Sequence, residues 1–207
     1  MTIIRQFYQE LYEFYQKDIR KAFLIITVIF FLLIAGGAVF FYFNKALTME
    51  LMQALSNMID SKEIIDHQGN IQVWSLFKNN LQACTLAIGL GILPFLFLCF
   101  LPLIVNAITV AIALSANLLA GSSAFFLIAA LVPHGIFELP AILLSITLGF
   151  FLCKELMMKL LGDHKDISLI DVIRHMMQMY IGWLLPLLMI AALIESYITP
   201  LIIQLVR

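Results

Sequence analysis

A chain of 207 residues that is 63% hydrophobic, 12% charged and −1 in formal net charge, with a mean hydropathy of +1.03, lies far outside the range of soluble domains. Residues 79–153 carry one formally charged side chain, Glu138, and no water-soluble fold hides so much apolar surface, so a bilayer must serve as solvent. The near-neutral balance contains no basic block, which leaves no electrostatic case for a nucleic-acid partner.

In residues 1–21, Ile4, Phe7, Leu11, Phe14 and Tyr15 recur at helical spacing, with Arg5, Glu10, Glu13, Lys17 and Asp18 on the other side. This pattern predicts an amphipathic helix in the membrane interface. Lys17, Arg20 and Lys21 then precede the first span, 22–43, and by the positive-inside tendency place the N-terminus in the cytoplasm. That span is longer than a signal-peptide core and lacks a small-residue cleavage site, so it reads as a retained anchor.

Residues 44–78 form the one long polar connection, extracytoplasmic on this reading. Leu47, Leu51, Leu55, Met58 and Ile59 share one face there, predicting a second amphipathic helix that rests on the outer leaflet or on a partner. DHQGN at 66–70 signals a turn, and Trp74 fits an interfacial anchor or an ordinary packed aromatic.

Between Lys78 outside and Lys154 inside, the chain must cross an odd number of times. At ~1.5 Å per residue and a hydrocarbon core of ~30 Å, residues 79–153 suffice for three crossings. Breaks are expected near Pro102 and at Gly121-Ser122-Ser123. The stretch 124–153 is too long for one straight crossing, and Pro133 predicts a short half-helix over 124–132 followed by a new helix. Such a break is tolerated where the freed backbone faces protein or a wet cavity, so it marks the interior. The segment 154–179, with Lys154, Lys159, Lys165 and Arg174 alongside four acidic residues, reads as cytoplasmic, and a last span at 180–203 carries the C-terminus outside. Arg5, Lys17, Arg20, Lys21, Lys154, Lys159, Lys165 and Arg174 then lie inside, against Lys45, Lys62, Lys78 and Arg207 outside. The expected fold class is all-α: a single polytopic helix bundle in the cell membrane with about five transmembrane spans, a proline-broken helix and interfacial amphipathic helices.

His134 and Glu138 are four residues apart and share one face of a helix. An ionisable group at membrane depth costs ~2.5 to 3.5 kcal/mol on insertion scales, so Glu138 is expected to turn inward, toward partners. Pro140 denies the Ile136 carbonyl its helical donor, and Gly135 permits close approach of a second helix. Asn79 and Asn80 open the second span, Asn106 sits early in the third with Asn117 farther along, and Glu195 lies in the last. These side chains are candidates to form one polar centre with the His-Glu pair.

Three readings of that centre stay open: a hydrogen-bond network locking helices together, a proton or ion path, and a metal or catalytic site. The i, i+4 spacing suits two metal ligands, His134 and Glu138. The pattern is not H-E-x-x-H, however, and a third ligand would have to come from elsewhere. No cofactor beyond a divalent metal is suggested, and no residue is assigned as catalytic. Cys84, Cys99 and Cys153 show no metal-ligand spacing and read as small buried hydrophobes. Gly89-x-Gly91 reads as a packing notch, while His164 and His175 read as solvated.

PHGIFELPAI at 133–142, with the pair Asn79-Asn80, GLG at 89–91 and Asn106 in the next span, resembles the stage II sporulation protein M family. The likeness runs from about residue 70 to about 153, and the five-span layout matches over most of the chain. Ala107 departs from the family pattern, which often has glycine after the asparagine of the third span. The resemblance implies a membrane component of a cell-envelope machine. In endospore formers such proteins assemble with peptidoglycan-cleaving partners during engulfment of the forespore, and many members occur outside sporulation. His134, Glu138, Asn79, Asn80 and Asn106 match its motif positions, and the family supplies no established catalytic residues.

The leading expectation is therefore a membrane scaffold or assembly factor that recruits envelope-remodelling proteins, with membrane lipid around it. Self-association into a homodimer fits the small-residue span faces. Against this stand an ion-coupled transporter or permease using Glu138 and His134, and an intramembrane metal-dependent enzyme.

Overall fold

The computed structural model describes residues 2–61, 72–162 and 168–206, without the side chains at 2, 3, 59–61, 124–131, 134, 203 and 206. The turn expected at 66–70 and the solvated His164 lie outside the described residues.

Every regular element among those residues is helical. α1 (Thr2–Phe14) continues through a π-helical turn, Tyr15–Ile19, into α2 (Arg20–Phe43), so the amphipathic segment and the first span are joined without a break. α3 (Lys45–Ser61) follows at once, and α4 (Val73–Gly89) ends in a 3-10 turn at Leu90–Ile92. After a bend come α5 (Leu101–Leu119) and α6 (Ala124–Leu160). α7 (Leu169–Met179), α8 (Leu185–Leu193) and α9 (Thr199–Val206) form a last helix interrupted by π-helical turns at Tyr180–Leu184 and Ile194–Ile198.

Four helices among the described residues are long and apolar enough to cross a membrane: Ile4–Phe43, Leu98–Leu119, Gly135–Leu160 and Leu169–Ile202. About five spans were expected, and four among the described residues qualify by length and composition. The shortfall lies at α4, whose 17 α-helical residues stop at Gly89, just where Gly89, Gly91 and Pro94 weaken helix formation. With its 3-10 extension α4 still covers about 30 Å. The chain then bends at 93–97, where Phe95 and Phe97 adopt left-handed φ values of 70° and 50°, uncommon for residues with bulky side chains.

α6 is also corrected. Pro133 does not end one helix and begin another, because Ala124–Leu160 is one continuous helix with Pro133 and Pro140 inside it. Each proline removes one donor and frees one carbonyl, four residues earlier, a local loss that a packed membrane helix absorbs. Pro102, by contrast, sits in the first turn of α5, and Gly121 takes φ +80° in the turn before α6, where the breaks were expected.

α6 is the central element, buried on every side from Ala141 to Gly149. Lipid tails are as apolar as leucine, so close packing rather than water exclusion holds such helices together. The contacts accordingly rest on small residues. α2 and α5 lie side by side, with Ser115 Oγ donating to the Ala38 carbonyl at 2.9 Å and Gly37 facing Ala111. Ile26 and Phe30, early in α2, share a buried cluster with Leu103 and Ala107, early in α5, while Ala38 and Phe41 pack with Ala111 and Ile112 farther along, so the two helices run parallel. The 3-10 turn after α4 meets α6 where a methyl on Gly91 would strike the Gly149 carbonyl oxygen, whereas one on Gly89 would meet nothing within 4 Å, so of the expected notch only Gly91 packs closely.

The amphipathic helices bury their apolar faces within the chain. Leu11, Phe14 and Ile19 share a cluster with Val172, Met176 and Met179 of α7 and with Leu148 and Phe151 of α6. His175, expected to be solvated, stacks on Phe14 with ring centroids 4.9 Å apart. α3 folds back after Asn44, pinned by Thr48 Oγ1, which donates to the Phe41 carbonyl at 2.6 Å. Its Leu51 and Leu55 pack with Phe41, Ala111 and Ile112, so the surface that receives α3 is α5, while Glu50, Gln53 and Asn57 stay exposed.

Candidate functional site

Asn80 enters the interior because it falls on the buried stripe of α4, between Leu76 and Phe77 on one side and Cys84 and Ala87 on the other. α6 supplies Glu138 between its two prolines, two residues beyond the carbonyl of Ile136 that Pro140 frees. The last helix supplies Glu195 from the π-helical turn Ile194–Ile198, a geometry that re-aims side chains and recurs at functional positions.

These three groups come together. The Asn80 amide faces the Glu138 carboxyl, and the Glu195 carboxylate lies within electrostatic range of it. Asn80 is only 7% exposed, and its Nδ2 has no hydrogen-bond partner among the described residues. The amide thus approaches the carboxyl without completing hydrogen-bond geometry, which leaves a buried donor beside Glu138. Asn79 extends the group by donating from Nδ2 to Asn80 Oδ1 at 3.4 Å.

The polar seam continues along α4. The Cys84 thiol meets the Ser145 hydroxyl of α6, which itself donates to the Ile142 carbonyl at 2.7 Å. The Thr85 and Tyr180 hydroxyls lie 2.8 Å apart and join α4 to the last helix. Ser145, Thr85 and Tyr180 were not singled out in the sequence, where a lone hydroxyl in a span carries no sign of its neighbour.

Asn106 and Asn117 are both on α5. Each donates from Nδ2 to a carbonyl of its own helix, to Pro102 and Ala113 respectively, both at 2.8 Å. The His134 side chain is outside the described residues, and with it the pairing of His134 and Glu138 as metal ligands. Among the described residues no three of His, Cys, Asp or Glu group as metal ligands. Chemically, two facing carboxyls and an amide can fasten three helices to one another, or hold a proton or a cation between them.

The family model for stage II sporulation protein M matches residues 24–200. The chain belongs to the stage II sporulation protein M family. The match takes in everything from the start of α2 to the start of α9, and so all three groups of the polar centre. With four helices of spanning length, this stage II sporulation protein M family member is a multi-pass membrane protein. An uncharacterized protein of Methanocaldococcus jannaschii is 32% identical over 144 residues, covering 69% of this chain and 80% of its own. No solved structure matches.

Proposed function

We propose that this stage II sporulation protein M family member is an integral membrane scaffold, an assembly component of a cell-envelope complex that includes peptidoglycan-remodelling proteins. The observation that supports it best is how the interior polar groups are used. Asn80, Glu138 and Glu195 come from three separate helices, with Glu138 facing the Asn80 amide and within electrostatic range of Glu195, whereas two apolar grooves on the described surface include none of them in their linings. A centre of this kind fixes the relative positions of helices, as an assembly platform requires. The exposed Glu50, Gln53 and Asn57 of α3 offer such partners a polar face. In this reading the N-terminus is cytoplasmic and the C-terminus extracytoplasmic, following the lysines and arginines.

Glu138→Gln tests the proposal. The amide keeps the shape and the hydrogen-bonding capacity of the carboxyl, so a scaffold bearing it stays folded and still co-purifies with its envelope partners. A second reading, an ion-coupled transporter, is favoured by one observation, the placing of Glu195 within range of Glu138. Cellular function lost with folding and partner capture intact would select that second reading over the scaffold.

A further inference from the structure

A groove of about 430 Å³ runs between the π-helical turn before α2, the start of α2, the middle of α6 and the start of α8. Its origin is local. Tyr15 and Trp183 each sit in a π-helical turn, where the widened backbone holds neighbouring side chains apart, and Pro140 and Pro186 put flat rings into the facing walls. The volume lies within the ~300 to 1,000 Å³ usual for small-molecule sites.

The walls are largely apolar, with Phe23, Pro140, Leu144 and Leu187 among them. At the aromatic end the chemistry changes. The Tyr15 and Trp183 rings meet at 5.1 Å, and neither the hydroxyl nor the indole N–H makes a hydrogen bond to another described residue. Arg20 is exposed, is held by Gln16 Oε1 at 3.1 Å, and lies within electrostatic range of the Tyr15 hydroxyl, with exposed Lys21 beside it. A cleft in the flank of spanning helices is open to acyl chains. Tyrosine, tryptophan and basic side chains at one end are the groups that meet lipid headgroups at an interface.

We propose that this groove is a binding site for an anionic membrane lipid, whose acyl chain lies between Phe23, Leu144 and Leu187 while its phosphate reaches Arg20 and the free donors of Tyr15 and Trp183. The site is distinct from the Asn80–Glu138–Glu195 centre, and it goes beyond the scaffold reading without depending on it. Charge complementarity chooses the occupant: a second copy or a partner helix would leave Arg20 and Lys21 unanswered, and a zwitterionic lipid would answer them only in part.

The full chain is reconstituted in phosphatidylcholine vesicles doped with a photoreactive phosphatidylglycerol, irradiated, and the labelled peptides are mapped. Labelling is expected around Tyr15–Phe23 and Trp183–Ile190, reduced about fivefold in Arg20→Gln, as removal of one basic residue at a membrane surface predicts. Ile190→Trp, which enlarges an exposed residue at the rim, should remove most of the label. Thermal unfolding identifies any variant that fails to fold; Arg20 is exposed and at a helix start, so that variant remains informative. Equal labelling by photoreactive phosphatidylcholine, unchanged labelling in folded Ile190→Trp or Arg20→Gln, or a dimer whose interface occupies the groove would each overturn the proposal.

Discussion

A methyl group added to Gly149 would meet the Ala87 carbonyl, a backbone atom that has no rotamer with which to yield. Gly149→Ala is therefore expected to lower stability by about 1 to 3 kcal/mol through overpacking, seen as a drop in Tm in detergent. Gly36→Ala is the matched control: nothing lies within 4 Å of the added carbon, so the change should be neutral or slightly stabilising. Ser115→Ala removes the bond that crosses from α5 to α2 and should cost about 1 kcal/mol by the same measurement. At this scale the sequence is half legible. The small residues at 89–91 announce a close approach, but nothing near them names Gly149 as the partner. Asn80, Asn106 and Asn117 likewise look equivalent on paper, because what separates them is the rotation of each helix about its own axis.

Among elements, the docking of α1 on α7 shows which interactions carry weight. Arg174 reaches Glu10 at 3.5 Å, and Gln178 reaches the same carboxylate at 3.4 Å, but the arginine is well exposed. Arg174→Ala is expected to change stability by less than about 1 kcal/mol. Phe14→Ala removes a ring that is 7% exposed and packed on Phe151 and His175, and should cost about 3 to 5 kcal/mol. Thermal unfolding of the two variants side by side checks the contrast. The helical period of residues 4–15 predicted α1 correctly as an amphipathic helix. What covers its apolar face is a tertiary fact, and the α6 and α7 residues that cover it lie more than 120 positions away. The continuity of α6 was missed for a related reason: proline reports a missing donor, while the packing on all sides that keeps the helix whole comes from other segments.

For the whole molecule, hydropathy alone gave the all-helical membrane class, since the solvent leaves few alternatives. Asn80, Glu138 and Glu195 each stood out in the sequence as polar residues in apolar runs, but nothing in the sequence says that Asn80 and Glu195 both approach Glu138. Cys84, Cys99 and Cys153 come from three different parts of the chain and are 1%, 0% and 0% exposed, so the intact fold should hide all three thiols together. A membrane-permeable maleimide is expected to label none of them until the protein is denatured, when all three react; mass spectrometry counts the adducts. Early labelling of Cys84 alone would mean that the α4–α6 contact opens separately from the rest.

The bend after α4 sets a practical limit on how the protein can be handled. Leu93, Phe95, Leu96 and Phe97 project from it, each at least 40% exposed, and Phe95 and Phe97 hold left-handed backbone angles. Such a tip has almost nothing to offer water and much to offer fatty acyl groups. An epitope tag or a protease site spliced between Phe95 and Leu96 should therefore disrupt insertion and yield no usable handle. The same insert beside Gly162, in an exposed turn three residues after Lys159, should be tolerated and should react with antibody on one membrane face only.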